Sequence, residues 1–371
     1  LQREVFGPIL HVVRYKSDKL EKVVETINGT GYGLTMGVHT RIDDNWRRVF
    51  AAARVGNTYV NRNQIGAIVG VQPFGGQGLS GTGPKAGGPH YLHRFVSETG
   101  DGAEAPEYAP LTLDEACVDR AALAALPGEM SGWPESVERR CDVIEDVADA
   151  LESGGMEGLS GDDATRAAAA YLRAYAAHVD AEFADAQALP GPTGERNELS
   201  LSPRGPVLCM TSGGDGGTAA LIAETGAALA TGNAALVWHP EAGVADRVVK
   251  LFRGAGVGDA ALAAVPAGKD ASLGDLVALK GLEGVAIAGP AALAAAINGV
   301  LAASDAAIRP VIPFREDPAD DLGAGQPLAG SPHYLYRFVH ERSLSIDTTA
   351  SGGNASLLSI GDGSSTLPGE N

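Results

Sequence analysis

A thirteen-residue string occurs twice in this chain. Ala86–Glu98 reads AGGPHYLHRFVSE and Ala329–Glu341 reads AGSPHYLYRFVHE, identical at ten of thirteen positions. A repeat this isolated is not a solenoid, whose units recur at a short fixed period. Two copies flanking residues 99–328 instead mark a domain inserted into an older chain. Any fold must then bring the sequence after Ala329 back to the part that ends near Glu98. Within the first copy, His90–Val96 alternates and is expected as a strand.

The 371 residues allow two or three domains at roughly 100–200 residues each. Gly is 50 of 371 and aromatics only 5%, so the core is built from small side chains, as in helix-on-sheet layers. The formal charge of −18 repels phosphate backbones and anionic lipid, which disfavours nucleic acid as a partner. Cys117, Cys141 and Cys209 lie far apart without a CxxC, which argues for a reducing, cytoplasmic setting and against a structural zinc. The membrane-length apolar run Gly284–Ala303 contains Pro290 and Asn298 and reads as strand, turn and buried helix, so no transmembrane segment is expected. The chain opens at Leu1 without Met and without a signal peptide, and reads as a piece of a longer protein.

Dense α/β patterning fills the first hundred residues. Ile9–Tyr15 is a β-rich run. Ser17 or Asp18 can cap a helix whose Leu20, Val23, Val24 and Ile27 share one face, and Gly29 stops it. A helix from about Asp43 buries Trp46, Val49, Phe50 and Ala53. Asn57–Asn61 is a strand and Gln72–Pro89 a Gly/Pro-rich loop. Gly100–Pro110 is acidic and reads as a linker, and Leu113–Leu189 is patterned as helix. From Arg204 to about Phe314, the strand candidates Pro206–Met210, Ala234–Trp238, Gly284–Ala288 and Ile308–Pro313 alternate with helices. That alternation predicts a parallel sheet covered on both faces.

Gly76, Gly78 and Gly81 spell GxGxxG. A dinucleotide loop of that spacing needs a helix to leave it, so that the pyrophosphate sits on the helix N-terminus. Thr82-Gly83-Pro84-Lys85 cannot start one, and the glycines read as a loop needing positive φ or close packing. The eight histidines make no metal spacing, and no GxSxG elbow is present. Cys209 lies within a strand as a small buried hydrophobe. Cys117 and Cys141 are placed on helices beside Asp114, Glu115 and Asp142, which raise a thiol pKa. No catalytic nucleophile and no metal site are expected.

Three strings carry chemistry: Glu4-Val5-Phe6-Gly7-Pro8, Asn61–Ala67 and Pro73-Phe74-Gly75-Gly76. Together with Asn28-Gly29-Thr30-Gly31-Tyr32-Gly33-Leu34 they resemble, in order and spacing, the aldehyde dehydrogenase superfamily. The run NRNQIGAIVGVQPFGGQGLSGTGPKAGGPHYLHRF and the string Asp347–Leu358 are similar to a narrower group, the proline utilization A family of bifunctional proline-catabolic enzymes, in its L-glutamate γ-semialdehyde (pyrroline-5-carboxylate) dehydrogenase half. The resemblance is strong over residues 1–98 and 329–360.

The resemblance implies NAD as cofactor, with FAD only in a proline dehydrogenase half that this chain does not contain. It implies that Glu4 accepts hydrogen bonds from NAD ribose hydroxyls and that Phe6 packs on the nicotinamide riboside. Read without it, Glu4 is a surface charge and Phe6 a core residue. It also implies that Gly66 and Ala67 form an anchor whose backbone N–H groups hold the substrate's α-carboxylate, with Phe74 along its aliphatic chain. Without the resemblance, Gly66-Ala67 is an ordinary turn.

The family's cysteine nucleophile and general base precede the Glu4 string and are missing here. Arg204–Leu208 and Ala227–Pro240 resemble the start of a second cofactor domain with altered details. Ser212–Gly217 (SGGDGG) replaces an oxyanion-hole segment, His239 replaces a ribose-binding lysine, and Ile287-Ala288-Gly289-Pro290 replaces the pyrophosphate turn. The expected architecture is α/β: residues 1–99 as the C-terminal portion of an aldehyde dehydrogenase catalytic domain, 100–195 as linker and helical segment, 196–328 as a Rossmann-like, non-catalytic domain, and 329–371 as a β-rich tail. Implied partners are L-glutamate γ-semialdehyde, an upstream part of the same polypeptide and further copies in a homo-oligomer. The alternative is a stand-alone, non-catalytic module that lids a cavity or mediates assembly.

Overall fold

The computed structural model describes residues 5–96, 108–125, 130, 132–154, 156, 162–214, 216–316 and 328–349. Glu4, most of the acidic linker and the string beyond Thr349 fall outside the described residues. The chain forms two compact units, one from residues 1–91, 186–200 and 341–371, the other from 92–185 and 201–340.

The first unit is built on a five-stranded sheet in the order Thr35–Val38, Asn57–Val60, Val339–Asp347, Glu195–Pro203, Gln187–Leu189. Asn57–Val60 pairs in parallel with both neighbours, and Ser343 stands opposite Asn57 in register. The middle strand therefore follows the second copy of the repeat, in the way an insertion requires. Helices Leu20–Asn28 and Asp43–Ala52 bury Val24, Trp46 and Val49. Trp46 packs with Val60, Leu344 and Ile346, so the late strand and the early helix share one core.

The second unit holds five parallel strands in the order Leu262–Val265, Ala234–Trp238, Pro206–Thr211, Gly284–Ala288, Val311–Pro313. Alternate residues of each strand face opposite ways. Cys209, Val237 and Ala286 join a core with helices Val137–Gly154, Asp162–Phe183 and Gly217–Ala230. Met210, Trp238 and Ile287 join another with Leu273–Val277 and Ala291–Ala302. With both faces covered, the strands read as continuous apolar runs. Gly217–Ala230 is buried all round, and a Cβ on its Gly226 would stand 2.1 Å from Leu172 Cδ2, so only glycine permits that helix contact.

Several local expectations are corrected. The repeat is helical in both copies: Tyr91–Phe95 is a 3-10 turn, and Pro332–Leu335 continues into the 3-10 turn Tyr336–Phe338. Tyr91, Leu92 and Phe95 sit at i, i+1 and i+4, which is one face of a helix. Ser331 Oγ accepts the His333 N–H at 3.2 Å and Pro332 occupies the first turn. Residues 9–15 form no regular element, because β-forming residues make a strand only beside another. Lys19, with no side-chain cap bond, precedes the first helix in place of Ser17 or Asp18. Cys117 lies on the strand Ala116–Val118, paired with Ala267–Ser272, rather than on a helix. Leu262–Val265 is a parallel strand that its short Ala-rich pattern did not announce.

Candidate functional site

The loop that follows Asn57–Val60 is held by all three middle strands of the first unit's sheet. Tyr59, 1% exposed, donates its hydroxyl to the Gly66 carbonyl at 3.1 Å. Asn57 Nδ2 and Ser343 Oγ both donate to the Pro73 carbonyl, at 2.8 and 2.9 Å. From the next strand, Glu195 Oε1 accepts from Gln72 Nε2 at 2.6 Å and from Asn197 Nδ2 at 2.9 Å, while Oε2 pairs with Arg62.

Gly66 and Ala67 stand at the exposed tip. Gly66 has φ +122°, a conformation other residues rarely adopt, and a Cβ there would approach only Gln72 Oε1, at 3.5 Å. Among the described residues neither amide N–H donates to an acceptor. Two adjacent amides without an internal acceptor are available to an outside acceptor such as a carboxylate. Phe74, half-buried, exchanges two backbone hydrogen bonds with Ala86 at 3.0 and 2.9 Å. Gly66, Ala67 and Phe74 thus share one loop. Phe6 stands apart from it, with its ring 94% exposed, and Glu4 lies outside the described residues.

Beneath the loop lies a buried polar cluster. Lys85, 1% exposed, donates Nζ to Asn57 Oδ1 at 2.9 Å and to the Gly75 carbonyl. Its backbone N–H donates to Glu341, whose other oxygen meets His90 Nδ1 at 2.5 Å. Burial pushes the Lys85 ammonium down to about 7, opposed by the Glu341 carboxylate and assisted by Arg342. Burial likewise raises the Tyr59 phenol, with Arg62 acting against it. Asn57, Tyr59, Gln72, Lys85 and Glu195 were not among the sequence candidates. Asn57 and Tyr59 sit at alternate positions of a recognised strand, the one signal that could have found two of them.

The glycine run shows the special loop its sequence suggests. Gln77–Gly78 pairs with Tyr32–Gly33, Gly78 and Gly81 have φ of +60° and +146°, and no helix follows.

In the second unit the sheet order reverses between Pro206–Thr211 and Gly284–Ala288, where doubly wound folds bind nucleotides. Its residues do not fit one. Tyr108 bridges Gly214 and the Ala109 N–H donates to the Gly213 carbonyl at 3.2 Å, so a segment of the chain itself lies against the loop. His239, 5% exposed, uses Nδ1 to accept the Glu241 N–H at 3.0 Å. Pro290 stands at the start of helix Ala291–Ala302 and brings no amide.

All three thiols are free. Burial, then acidic neighbours, pushes Cys117 and Cys141 up to about 11, and burial raises Cys209 as well. Among the described residues no group of three or more His, Cys, Asp and Glu could hold a metal ion, and no helix is long and apolar enough to cross a membrane.

One parallel sheet, one mixed sheet and the glycine loop after Pro73–Gly76 are consistent with an aldehyde dehydrogenase-like fold. Residues 1–99 match the model of the aldehyde dehydrogenase family. Its relatives include the bifunctional protein PutA of Escherichia coli K12, 37% identical over 361 residues, or 97% of this chain and 23% of that protein. PutA of Rhizobium meliloti is 36% identical over 375 residues, covering 97% and 24%. A 1-pyrroline-5-carboxylate dehydrogenase of Bacillus pumilus is 48% identical over 92 residues, covering 25% and 18%. The chain thus spans about a quarter of the length of the bifunctional relatives it matches. A solved structure of proline utilization A from Corynebacterium freiburgense shares the fold, with a TM-score of 0.50 and 20% identity over 93% of this chain and 26% of that one.

Proposed function

We propose that this chain supplies the substrate-carboxylate end of an NAD-dependent L-glutamate γ-semialdehyde dehydrogenase acting in proline catabolism. The observation that carries the proposal is the pair of free amides at Gly66 and Ala67, on a loop held by the buried Asn57, Tyr59, Gln72 and Ser343. The substrate's α-carboxylate accepts from both N–H groups, and Phe74 lies along its methylene chain. The exposed Phe6 ring offers an aromatic platform that fits a nicotinamide riboside, and Glu4 is assigned to the ribose hydroxyls. NAD, when bound, takes up the hydride.

The thiolate and the general base come from a part of the protein other than these residues, because the chain's own thiols are held protonated. The second unit serves as a structural, non-catalytic domain, a role supported by the bridge from Tyr108 and Ala109 to the Gly213–Gly214 loop at its switch point. We assign residues 1–99 to the catalytic domain, 196–328 to this second domain and 329–371 to a tail that completes the first sheet. Assembly as a homo-oligomer and a cytoplasmic location complete the reading.

Deleting the gene should abolish NAD-dependent glutamate-semialdehyde oxidation in cell extracts. Restoring it with Ala67→Pro, which removes one anchor N–H, should raise KM for that aldehyde. Unchanged oxidation in the deletion strain refutes the assignment. The chain by itself should produce no more NADH than its variant with all three cysteines replaced by alanine, and turnover above that control refutes the division of labour.

A further inference from the structure

Glu195 lies 123 residues beyond Gln72 and 133 beyond Arg62, in a strand of the first unit that no site expectation includes. Its side chain is 14% exposed and that of Arg62 16%. Each carboxylate oxygen is engaged: Oε2 by the Arg62 guanidinium, Oε1 by the Gln72 and Asn197 amides at 2.6 and 2.9 Å. A partly desolvated ion pair with two further donors is a much stiffer joint than an exposed pair.

The joint has two arms, and both end on the anchor loop. Along the first, Gln72 is 2% exposed, and its backbone N–H donates to the Ile68 carbonyl at 2.8 Å, closing the turn that follows Ala67. With Nε2 committed to Glu195, the Gln72 side chain is turned so that Oε1 lies beside Gly66, 3.5 Å from where a Cβ would stand. Along the second, Arg62 lies over the Tyr59 ring, 5.5 Å from its centroid, and the Tyr59 hydroxyl holds the Gly66 carbonyl at 3.1 Å. The Gly66 carbonyl and the Ala67 N–H belong to one planar peptide, so holding that carbonyl fixes the direction of the Ala67 amide, with the Gln72 side chain packed beside Gly66. A displacement of about 1 Å in such donors is enough to lose most of their bond.

We propose that Glu195 is a positioning residue that holds the Gly66–Ala67 amides in their carboxylate-binding geometry and so sets the preference for aldehydes bearing an α-carboxylate. The inference rests on the assignment of those amides as the anchor. Glu195 itself touches no substrate; it acts through Gln72 and Arg62.

The test uses the enzyme as its gene encodes it, with two aldehydes: L-glutamate γ-semialdehyde, and butanal, which has no carboxylate. Glu195→Ala should raise KM for the semialdehyde about tenfold, the worth of one good hydrogen bond, with kcat changed less than about twofold and kcat/KM for butanal unchanged. Glu195→Gln, which keeps the side-chain volume and an acceptor for Gln72, should fall between wild type and Glu195→Ala and carries the test if the alanine variant fails to fold. Gln72→Ala combined with Glu195→Ala should be no worse than the poorer single variant, since both act through one arm. Equal losses with both aldehydes, or an unchanged KM in both Glu195 variants, overturn the proposal. Ala67→Pro separates the two readings. If it leaves the semialdehyde KM unchanged, the anchor itself is wrong; if it raises KM while Glu195→Ala does not, only the positioning role falls.

Discussion

Asn57 and Ser343 face each other across two parallel strands and donate to the same carbonyl, that of Pro73. The donors differ in what else depends on them. Asn57 Oδ1 also accepts from the Gly75 N–H at 3.1 Å and from Lys85 Nζ, whereas Ser343 Oγ serves the one bond. Asn57→Ala should therefore cost about 2–3 kcal/mol by orphaning buried donors, and Ser343→Ala about 1 kcal/mol. Native-state hydrogen exchange of the Asn57–Val60 amides reads the difference, and equal effects would refute the hierarchy.

Two glycines beside this strand should respond in opposite ways. A Cβ on Gly56 would stand 1.9 Å from the Gly75 carbonyl oxygen, backbone against backbone. Gly56→Ala should disrupt the first unit and lower its yield of folded protein. At Gly66 the space is open and only φ opposes a side chain, at a cost of about 1–3 kcal/mol. Gly66→Ala should keep the fold by circular dichroism while weakening semialdehyde binding.

Lys85 makes stability of the first unit depend on alkaline pH. Its native value of about 7 lies below the 10.5 of an ordinary lysine. Between those values the unfolded chain binds the proton and the native one does not, so stability rises with pH across that window and levels off below 7. Glu341, His90 and Arg342 face the same cluster. Lys85→Met should flatten the pH 7–10.5 slope of urea midpoints followed by exchange of the same strand; an unchanged slope excludes Lys85 as its source.

Glu224 gives the second unit the opposite dependence. It is wholly buried in helix Gly217–Ala230, and burial raises its carboxyl well above the usual range, with no hydrogen-bond partner on either oxygen among the described residues. Its contribution is complete below the unfolded carboxyl value and is lost as pH rises through the native one. Glu224→Leu should raise the thermal midpoint of this unit by a few degrees at pH 8 and by less at pH 5. A larger gain at pH 5 would reverse the assigned sign.

The thiols should behave as core residues. Iodoacetamide at pH 8 should leave Cys141 and Cys209 unmodified in the native chain and alkylate Cys117 slowly, with all three reacting after denaturation. Rapid native labelling of any of them would contradict their raised pKa values.

Much of the fold was legible where one local rule dominates. The runs Ala234–Trp238 and Gly284–Ala288 are apolar throughout because both faces are covered, and their limits in sequence and structure coincide. The Gly66–Ala67 loop was legible as a turn through its glycine. What holds the loop was not. Glu195 has no neighbour in sequence that betrays its bond to Gln72, and the pairing of Val339–Asp347 beside Asn57–Val60 is a tertiary choice. The repeat misled for another reason. Its apolar spacing fits a strand by count, but Pro332 and the Ser331 cap decide for a helical turn. The two copies also differ in burial: Tyr334, Leu335 and Phe338 are fully buried, while Leu92 and Phe95 are 71% and 70% exposed. Local sequence selects the conformation, and surroundings select what it covers.

The central position of Val339–Asp347 in the first unit's sheet has a consequence for synthesis. Ser343 leaves the ribosome 270 residues after Pro73, which at roughly 5–20 residues per second is a delay on the order of ten to fifty seconds. Throughout that interval Asn57–Val60 presents a bare edge where its inner neighbour belongs, and the Pro73 carbonyl has only one of its two donors. The Gly66–Ala67 loop is thus made well before the strand that completes its support. The second unit is synthesised during the wait, so the Asn57–Val60 edge should need protection by a chaperone until Val339–Asp347 arrives.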